Sequence, residues 1–342
     1  MDSIKKTYGL FACLGLAVLS GCSQKSEPVI LTVNGPVPAS EMGITLSHEH
    51  VLVDFIGADS TGYQRWDRQE VIEKVVPYLD EIRKYKVSTL IECTPAYLGR
   101  DPWILKELSR RTGMNLLTNT GYYGAHDNLY IPEHFYGKNA EEIAQIWVQE
   151  FEQGIEGSGV RPGFIKIAVG ESDSLSAVHA KIITAAALAH KQTGLVIASH
   201  TGPDGPAFAQ LRVLQSQGVD PSSFIWVHAQ RGTLEGNIRA AGMGTWISLD
   251  NVNTGRPSGS DYDIQWYALR ILELKRAGYL DHVLISHDAG WYDPDQEDGG
   301  PFRGFTGIFT GLIPALQREG FSSEDIDQLL KINPANAFKI RN

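Results

Sequence analysis

Eight short runs of apolar and β-branched residues recur along the chain, and a longer amphipathic segment follows each of them. The runs are Ile44–His48, Val87–Cys93, Met114–Thr120, Gly163–Val169, Leu195–His200, Phe224–His228, Gly244–Leu249 and His282–His287. Their length and composition predict strands. The segments between them place apolar side chains three and four residues apart, as Val71, Val75, Leu79 and Ile82 do within Asp67–Tyr85, which predicts helices. Further helices are predicted over 101–111, 140–155, 174–192, 204–217, 233–241 and 264–277, and over 304–318 after the eighth run. Eight strand–helix units predict an α/β fold closed as a (β/α)8 TIM barrel. An open doubly wound sheet carries a glycine-rich phosphate loop after its first strand; here that strand runs into His48-Glu49-His50. Before the barrel, Val29–Pro38 contains Asn34-Gly35-Pro36 and predicts a short N-terminal β-hairpin covering the barrel's bottom.

The first residues have a different pattern. Lys5 and Lys6 precede the apolar run Tyr8–Leu19, which is shorter than an ordinary membrane-spanning helix. The run ends in Leu19-Ser20-Gly21-Cys22, which resembles a bacterial lipobox, where the cysteine is acylated and becomes the mature N-terminus. The alternative is a plain cleaved signal with an incidental cysteine. The expected organisation is a lipoprotein signal peptide over 1–21, a tether over 22–28 and a single barrel domain over 29–342. Lipidation of Cys22 implies attachment to the bacterial cell envelope through that lipid alone. Ser23 rather than an aspartate after it points to the outer membrane, facing periplasm or surface. Cys13 leaves with the signal, so Cys93 is the one thiol in the folded domain and no internal disulfide forms. Cys93 is expected to be a buried strand residue. The net charge of −10, with no opposing basic stripe, excludes nucleic acid as a partner.

The residues that carry chemistry sit at the ends of the predicted strands. His48 and His50 close the first, and in an extended chain residues two apart point to one side. Lys166 lies in the fourth between Ile165 and Ile167, His200 ends the fifth, His228 the sixth, and Asp288 follows the eighth. Barrel enzymes keep their chemistry at that C-terminal face. Imidazole and carboxylate suit zinc, with cobalt, manganese or iron as alternatives, and two ions about 3.5–4 Å apart need an anionic bridge. An ammonium has no lone pair to donate. Carbon dioxide adding to a neutral lysine amine yields a carbamate with two oxygens, so Lys166 is expected to be N6-carboxylated and to link two divalent ions. Each residue alone has an ordinary reading: a strand-end histidine that caps or hydrogen-bonds, a lysine in an ion pair, an aspartate at a helix N-cap. Six such coincidences on one face are improbable. Of the other histidines, His179 and His190 are expected at the surface, and His282 at the wrong strand end. His287 should point away from the site, and His126 and His134 lie in the loop after the third strand, within reach of a substrate.

The motifs Gly43-Ile-Thr-Leu-Ser-His-Glu-His50, Phe164-Ile-Lys-Ile-Ala168, Ala198-Ser-His-Thr201 and Ile285-Ser-His-Asp288 resemble the phosphotriesterase family of the amidohydrolase superfamily. Ile30-Leu-Thr-Val-Asn-Gly-Pro36 and Gly99-Arg-Asp101 add to the likeness, which runs from Val29 to Phe338. The resemblance implies that His48, His50 and Asp288 bind the more buried ion and His200 and His228 the more exposed one, with the Lys166 carbamate touching both. It implies hydrolysis of phosphotriesters, lactones or related esters and amides by a metal-bridging hydroxide, with Asp288 accepting the proton, and it suggests a homodimer. The chain departs from the best-known phosphotriesterases, which carry a histidine after the seventh strand's Leu-Asp and an aspartate three residues beyond the sixth-strand histidine. Here those positions hold Asn251 and Arg231, and neither relays a proton at neutral pH. That favours a small lactone or carboxylic ester as substrate. Amide hydrolysis on the same centre, and a non-catalytic ligand-binding lipoprotein, are the alternatives. Arg231 can bind a substrate carbonyl or make a surface ion pair. Tyr122, Tyr123, Trp291 and Tyr292 are expected in an aromatic substrate pocket.

Overall fold

Alternating side chains decide which way each strand faces. In Phe164–Ala168, Ile165 and Ile167 pack with helix residues such as Ile182 and Ile183. Phe164 packs on the opposite face with Ile91, Leu117 and Ile225 from other strands. Lys166 shares that inner face, with 1% of its surface exposed. The computed structural model describes residues 27–341, with Asp2 and Ile4. Apart from Asp2 and Ile4, the signal segment lies outside the described residues, as do Cys22 and all of the tether but its last two residues. Among the described residues no helix is long and apolar enough to cross a membrane.

Strands β1 (Val29–Thr32) and β2 (Gly35–Pro38) pair antiparallel as the expected hairpin. Its turn is Val33-Asn34, one residue earlier than the Asn-Gly-Pro signal indicated, because Thr32 already pairs with Gly35. Ile30 packs against Leu117 and Phe164 near the starts of the strands, and the Val33 N–H donates to the Leu116 carbonyl. The parallel strands are β3 (Ile44–Glu49), β4 (Val87–Glu92), β5 (Asn115–Leu117), β6 (Asn119–Thr120), β7 (Phe164–Ala168), β8 (Ile197–His200), β9 (Phe224–Val227), β10 (Trp246–Leu249) and β11 (Val283–Ile285). They form two parallel sheets, β3-β4-β5 and β6-β7-β8-β9-β10-β11. β5 and β6 are two pieces of the predicted third strand, parted at Thr118, whose carbonyl accepts from the Gly163 N–H. At the other seam the Asp288 N–H donates to the His48 carbonyl at 3.1 Å, and the Ser47 hydroxyl to the Ile285 carbonyl.

The helices begin where side chains can accept their first N–H groups. Asp67 caps α1 (Arg68–Arg83), Asp101 caps α2 (Pro102–Thr112), and Asn139 with Glu142 forms a capping box on α3 (Ala140–Gln153). Gly113 ends α2 at φ +71, a left-handed conformation that costs glycine nothing. Helices α4 (Ala177–Thr193), α5 (Asp204–Ser216), α6 (Leu234–Gly242) and α7 (Ile264–Arg276) follow within a few residues of the predicted bounds. The segment expected as one helix over 304–318 is a π-helical turn at Ile308–Leu312 leading into α8 (Ile313–Arg318). The assembly is an α/β protein with parallel sheets, as the barrel fold of the resembled family requires.

Candidate metal centre

Residues in or just after five of the parallel strands, β3, β7, β8, β9 and β11, meet in one place. His48, His50, Lys166, His200, His228 and Asp288 all line a single cavity of about 140 Å³. Larger surface hollows exist among the described residues, one of about 480 Å³ lined by Asp173, Asp204, Arg212 and Arg239 among others, and that one holds no imidazole. The backbone is forced at these positions: φ is +61 at His228 and +49 at Asp288, where an L-residue is strained. Asn251 (+67) and Trp291 (+74) follow the same pattern at neighbouring strand ends.

Asp288 reaches both halves of the cluster. Its Oδ1 lies 3.1 Å from His50 Nε2 and 3.6 Å from His48 Nε2, and its Oδ2 lies 4.0 Å from His228 Nδ1. His228 Nε2 and His200 Nδ1 converge to 2.8 Å. Lys166 Nζ is 3.3 Å from His48 Nε2, between the two halves. Two sets offer ligand atoms within 4.8 Å of one another: His48, His50 and Asp288, and His228, Asp250 and Asp288.

Asp250 was missing from the candidates drawn from the sequence. It follows β10 as His228 follows β9, the strand-end position that marked the others, and that signal was available. Its carboxylate is fully buried and holds two histidines by their rear nitrogens: His48 Nδ1 at 3.2 Å and His228 Nδ1 at 2.5 Å. It also accepts the His228 N–H at 3.0 Å and the Gln230 amide at 2.9 Å. His50 Nδ1 is held by the Thr94 hydroxyl at 2.8 Å. With their Nδ1 atoms engaged, His48 and His50 turn Nε2 towards the cavity, the arrangement in which outer partners orient metal-binding imidazoles.

The electrostatics favour ligation. Burial, and then the Lys166 charge, push His48 down to about 4. Burial and then His228 hold His200 well below the usual imidazole range. Both rings are neutral at pH 7, as a ligand must be. At His228 burial works downward but Asp250 outweighs it and holds the ring above its ordinary value. Burial would raise Asp250 and Asp288, yet the neighbouring histidines outweigh it and keep both ionised. Among the described residues the one cysteine offers no ready thiolate, since Cys93 is buried and burial pushes its thiol up. The donor set therefore fits a binuclear metal centre held by nitrogen and oxygen.

The remaining expected residues divide. Tyr123 lines the cavity, with its hydroxyl 3.0 Å from His200 Nδ1, and Trp291 lines it too, its ring 6.0 Å from that of His50 and steeply inclined to it. Tyr122 does not reach the cavity: it is buried against Trp147 and pairs with His134 Nε2 at 2.9 Å. Tyr292 is buried beneath the loop at Gly299. Arg231 makes an ion pair with Glu171 at 2.7 Å, both partners part-exposed, and does not line the cavity. Asn251 is taken up by Arg303, which donates to its Oδ1 at 3.2 Å. His287 points away from the site, as alternation requires, onto Glu49. His179 and His190 correct the surface expectation. Both are half-buried, bonded to the carbonyls of Gly124 and Leu195, which latches their helix to adjoining loops. His126, which the sequence put in the loop after the third strand within reach of a substrate, lines the cavity.

Comparison with known proteins agrees with this geometry. The profile of the Phosphotriesterase family matches residues 28–338. The chain is 30% identical to the phosphotriesterase homology protein of Escherichia coli over 298 residues, covering 87% of this chain and 98% of that protein. It is 29% identical to an aryldialkylphosphatase of Saccharolobus solfataricus over 311 residues, covering 88% and 96%. An N-acetyltaurine hydrolase of Rattus norvegicus is 24% identical over 341 residues, covering 89% and 96%.

Proposed function

The chain belongs to the phosphotriesterase family, and from that premise we propose that it is a binuclear metal-dependent hydrolase of carboxylic esters, lactones foremost. The observation that carries this reading is the convergence of four histidines, Asp288 and Lys166 on one cavity, two of the rings held neutral by burial. The two parallel sheets, in this reading, close as one eight-stranded barrel through the Thr118 seam and the hydrogen bonds between β3 and the residues after β11.

Two bound divalent ions would supply Lewis acidity and make water acidic enough to act near neutral pH. The protein's own part is positional. His48, His50 and Asp288 would hold one ion, and His200 and His228 the other. Lys166, buried and with no carboxylate within 4.0 Å among the described residues, would join them as its carbamate. Asp250 fixes two of the rings from behind. Asp288, the carboxylate that faces both halves, would receive a proton at Oδ2 as water attacks. Tyr123 shields the cavity and steadies His200. Val53, Phe55, Leu98 and Trp291 give it an apolar wall, and its small volume suits a compact reacting group.

Carboxylic esters are favoured over phosphotriesters because neither Asn251 nor Arg231 is free to carry a proton outward. An amide substrate is the second reading, supported by the relatives named N-acetyltaurine hydrolase. Purified protein, loaded with zinc or cobalt, is to be tested on δ-valerolactone, phenyl acetate, a dialkyl aryl phosphate and N-acetyl amino acids. Lactone or ester turnover ahead of the others supports the proposal. Turnover of N-acetyl compounds alone, or less than one bound ion per chain at pH 7, overturns it.

A further inference from the structure

His126 lies on the loop between Tyr123 and Tyr130, whose backbones pair as a single antiparallel bridge. Farther along, the Ala58 N–H donates to the Leu129 carbonyl, so the loop is tied to the segment after β3 as well. Within it three successive non-glycine residues adopt left-handed backbone: His126 (φ +53), Asp127 (+53) and Asn128 (+63). Such a run is costly for L-residues and persists where surrounding structure enforces it, often next to a functional group. Its result is to bring the His126 imidazole to the cavity, parallel to the Tyr123 ring with centroids 6.2 Å apart.

The lining of the cavity leaves few polar side chains for a substrate. Six residues form the metal cluster on the floor, and four more supply the apolar wall, with the Trp291 indole N–H as their one donor. The Tyr123 hydroxyl is engaged by His200. His126 is exposed at the mouth, and among the described residues nothing hydrogen-bonds its ring nitrogens. Its centroid is 6.5 Å from that of His200. The two rings therefore border the same stretch of the cavity. An ester bound with its acyl carbon over the metal cluster and its alcohol side outward turns its leaving oxygen towards His126.

Resting on the ester-hydrolase reading above, we propose that His126 is a catalytic residue that donates an imidazole N–H hydrogen bond to the leaving oxygen. In the step it assists, water oxygen joins the acyl carbon and the acyl C–O bond breaks with its electron pair on the alcohol oxygen. One proton of the attacking water passes to the floor, the second leaves the new carboxyl group to solvent, and the alcohol oxygen takes a proton from solvent at the open mouth. The products are a carboxylate and an alcohol. A donor placed there matters most where the leaving oxygen is a poor one, such as the alkoxide of an opened lactone.

The test compares two leaving groups on metal-loaded protein. In His126→Ala, kcat on δ-valerolactone should fall about 100-fold, the scale of losing one donor to a developing oxyanion. On 4-nitrophenyl acetate, whose phenolate needs no such help, it should fall less than about fivefold, with bound metal and Tm as in the wild type. His126→Asn keeps a donor and tolerates left-handed backbone, so it should recover about tenfold on the lactone. Equal fractional losses on both probes, or none on either, overturn this inference while leaving ester hydrolysis standing. A wild type that hydrolyses neither probe overturns the ester reading, and this inference with it.

Discussion

Glu49 Oε1 accepts a hydrogen bond from His287 Nδ1 at 2.7 Å in a buried pair that ties β3 to the residues after β11. The same carboxylate accepts the N–H groups of His287 and Ala289, each at 3.0 Å, and the Ser286 hydroxyl at 2.6 Å. It thereby grips the chain on both sides of Asp288 and holds that residue's left-handed turn in place. Glu49 is flanked by His48 and His50, so one tripeptide supplies two ring donors and the anchor for a carboxylate 238 residues away.

Replacing Glu49 by Gln removes the negative charge and turns an N–H2 group towards donors that need an acceptor. The expected loss is about 3 kcal/mol of unfolding free energy, the scale of breaking a buried charged network. Urea denaturation of the metal-free protein measures it, and a loss below about 1 kcal/mol would show that the seam does not depend on this carboxylate.

Asp250 holds His48 and His228, which belong to different halves of the cluster. Asp250→Asn is therefore expected to weaken the binding of both ions together, by about 10- to 100-fold, as removal of an outer partner of a ligating histidine does. Competition with a chelator of known affinity reads each ion separately. Weakening of one ion alone would mean that Asp250 serves only one histidine.

In the metal-free protein, acid should destabilise the fold over a defined window. His48 sits at about 4 when folded, from burial first and Lys166 second, and His200 is also lowered. Both bind protons more weakly folded than unfolded, where an imidazole titrates near about 6.5. Their contribution is complete above that value and is lost as pH falls towards 4. His228 is raised, so its contribution is already complete below about 6.5 and adds no slope there. Asp250 and Asp288 are lowered and act only below the ordinary carboxylate range. Between pH 7 and 4.5 the unfolding free energy should drop by about 2–3 kcal/mol from His48 alone. Denaturant curves of chelator-treated protein at the two pH values check this, and stability that is flat or rises in acid contradicts it.

Periodicity made the strands and helices legible, since Lys166 between two isoleucines and histidines after apolar runs follow directly from alternation. What alternation does not encode is the path of a loop once the strand has ended. Tyr122 and Tyr123 are neighbours after β6, and only the second faces the cavity, because the Tyr123–Ala168 and Tyr123–Tyr130 bridges set its direction. His126 reaches the cavity through three successive left-handed residues, a loop path that strand alternation does not encode. Arg231, with an open choice between substrate and surface, found Glu171, a partner 60 residues distant in sequence and brought close only by the fold. Asp250 is a different case: its strand-end position was visible, but its role in gripping two rings needs the third dimension.

Lys166 offers the sharpest chemical test of the centre. Its Nζ lies 3.3 Å from His48 Nε2, it is almost wholly buried, and no carboxylate among the described residues lies within 4.0 Å of it. An ammonium left there without a counter-charge is expensive. Carboxylation would remove that cost: the neutral amine would add carbon dioxide and lose a proton, and the carbamate would bring two oxygens sharing one negative charge to the cluster. Lys166→Ala should accordingly bind less than one ion per chain in buffer free of carboxylates, and recover metal when millimolar propionate fills the space. Wild-type apoprotein should take up metal faster with bicarbonate than in buffer free of carbon dioxide. Elemental analysis and uptake kinetics read both, with Tm as the control for folding. Two tightly held ions in Lys166→Ala without any added carboxylate would mean that the ions need no bridge from this strand.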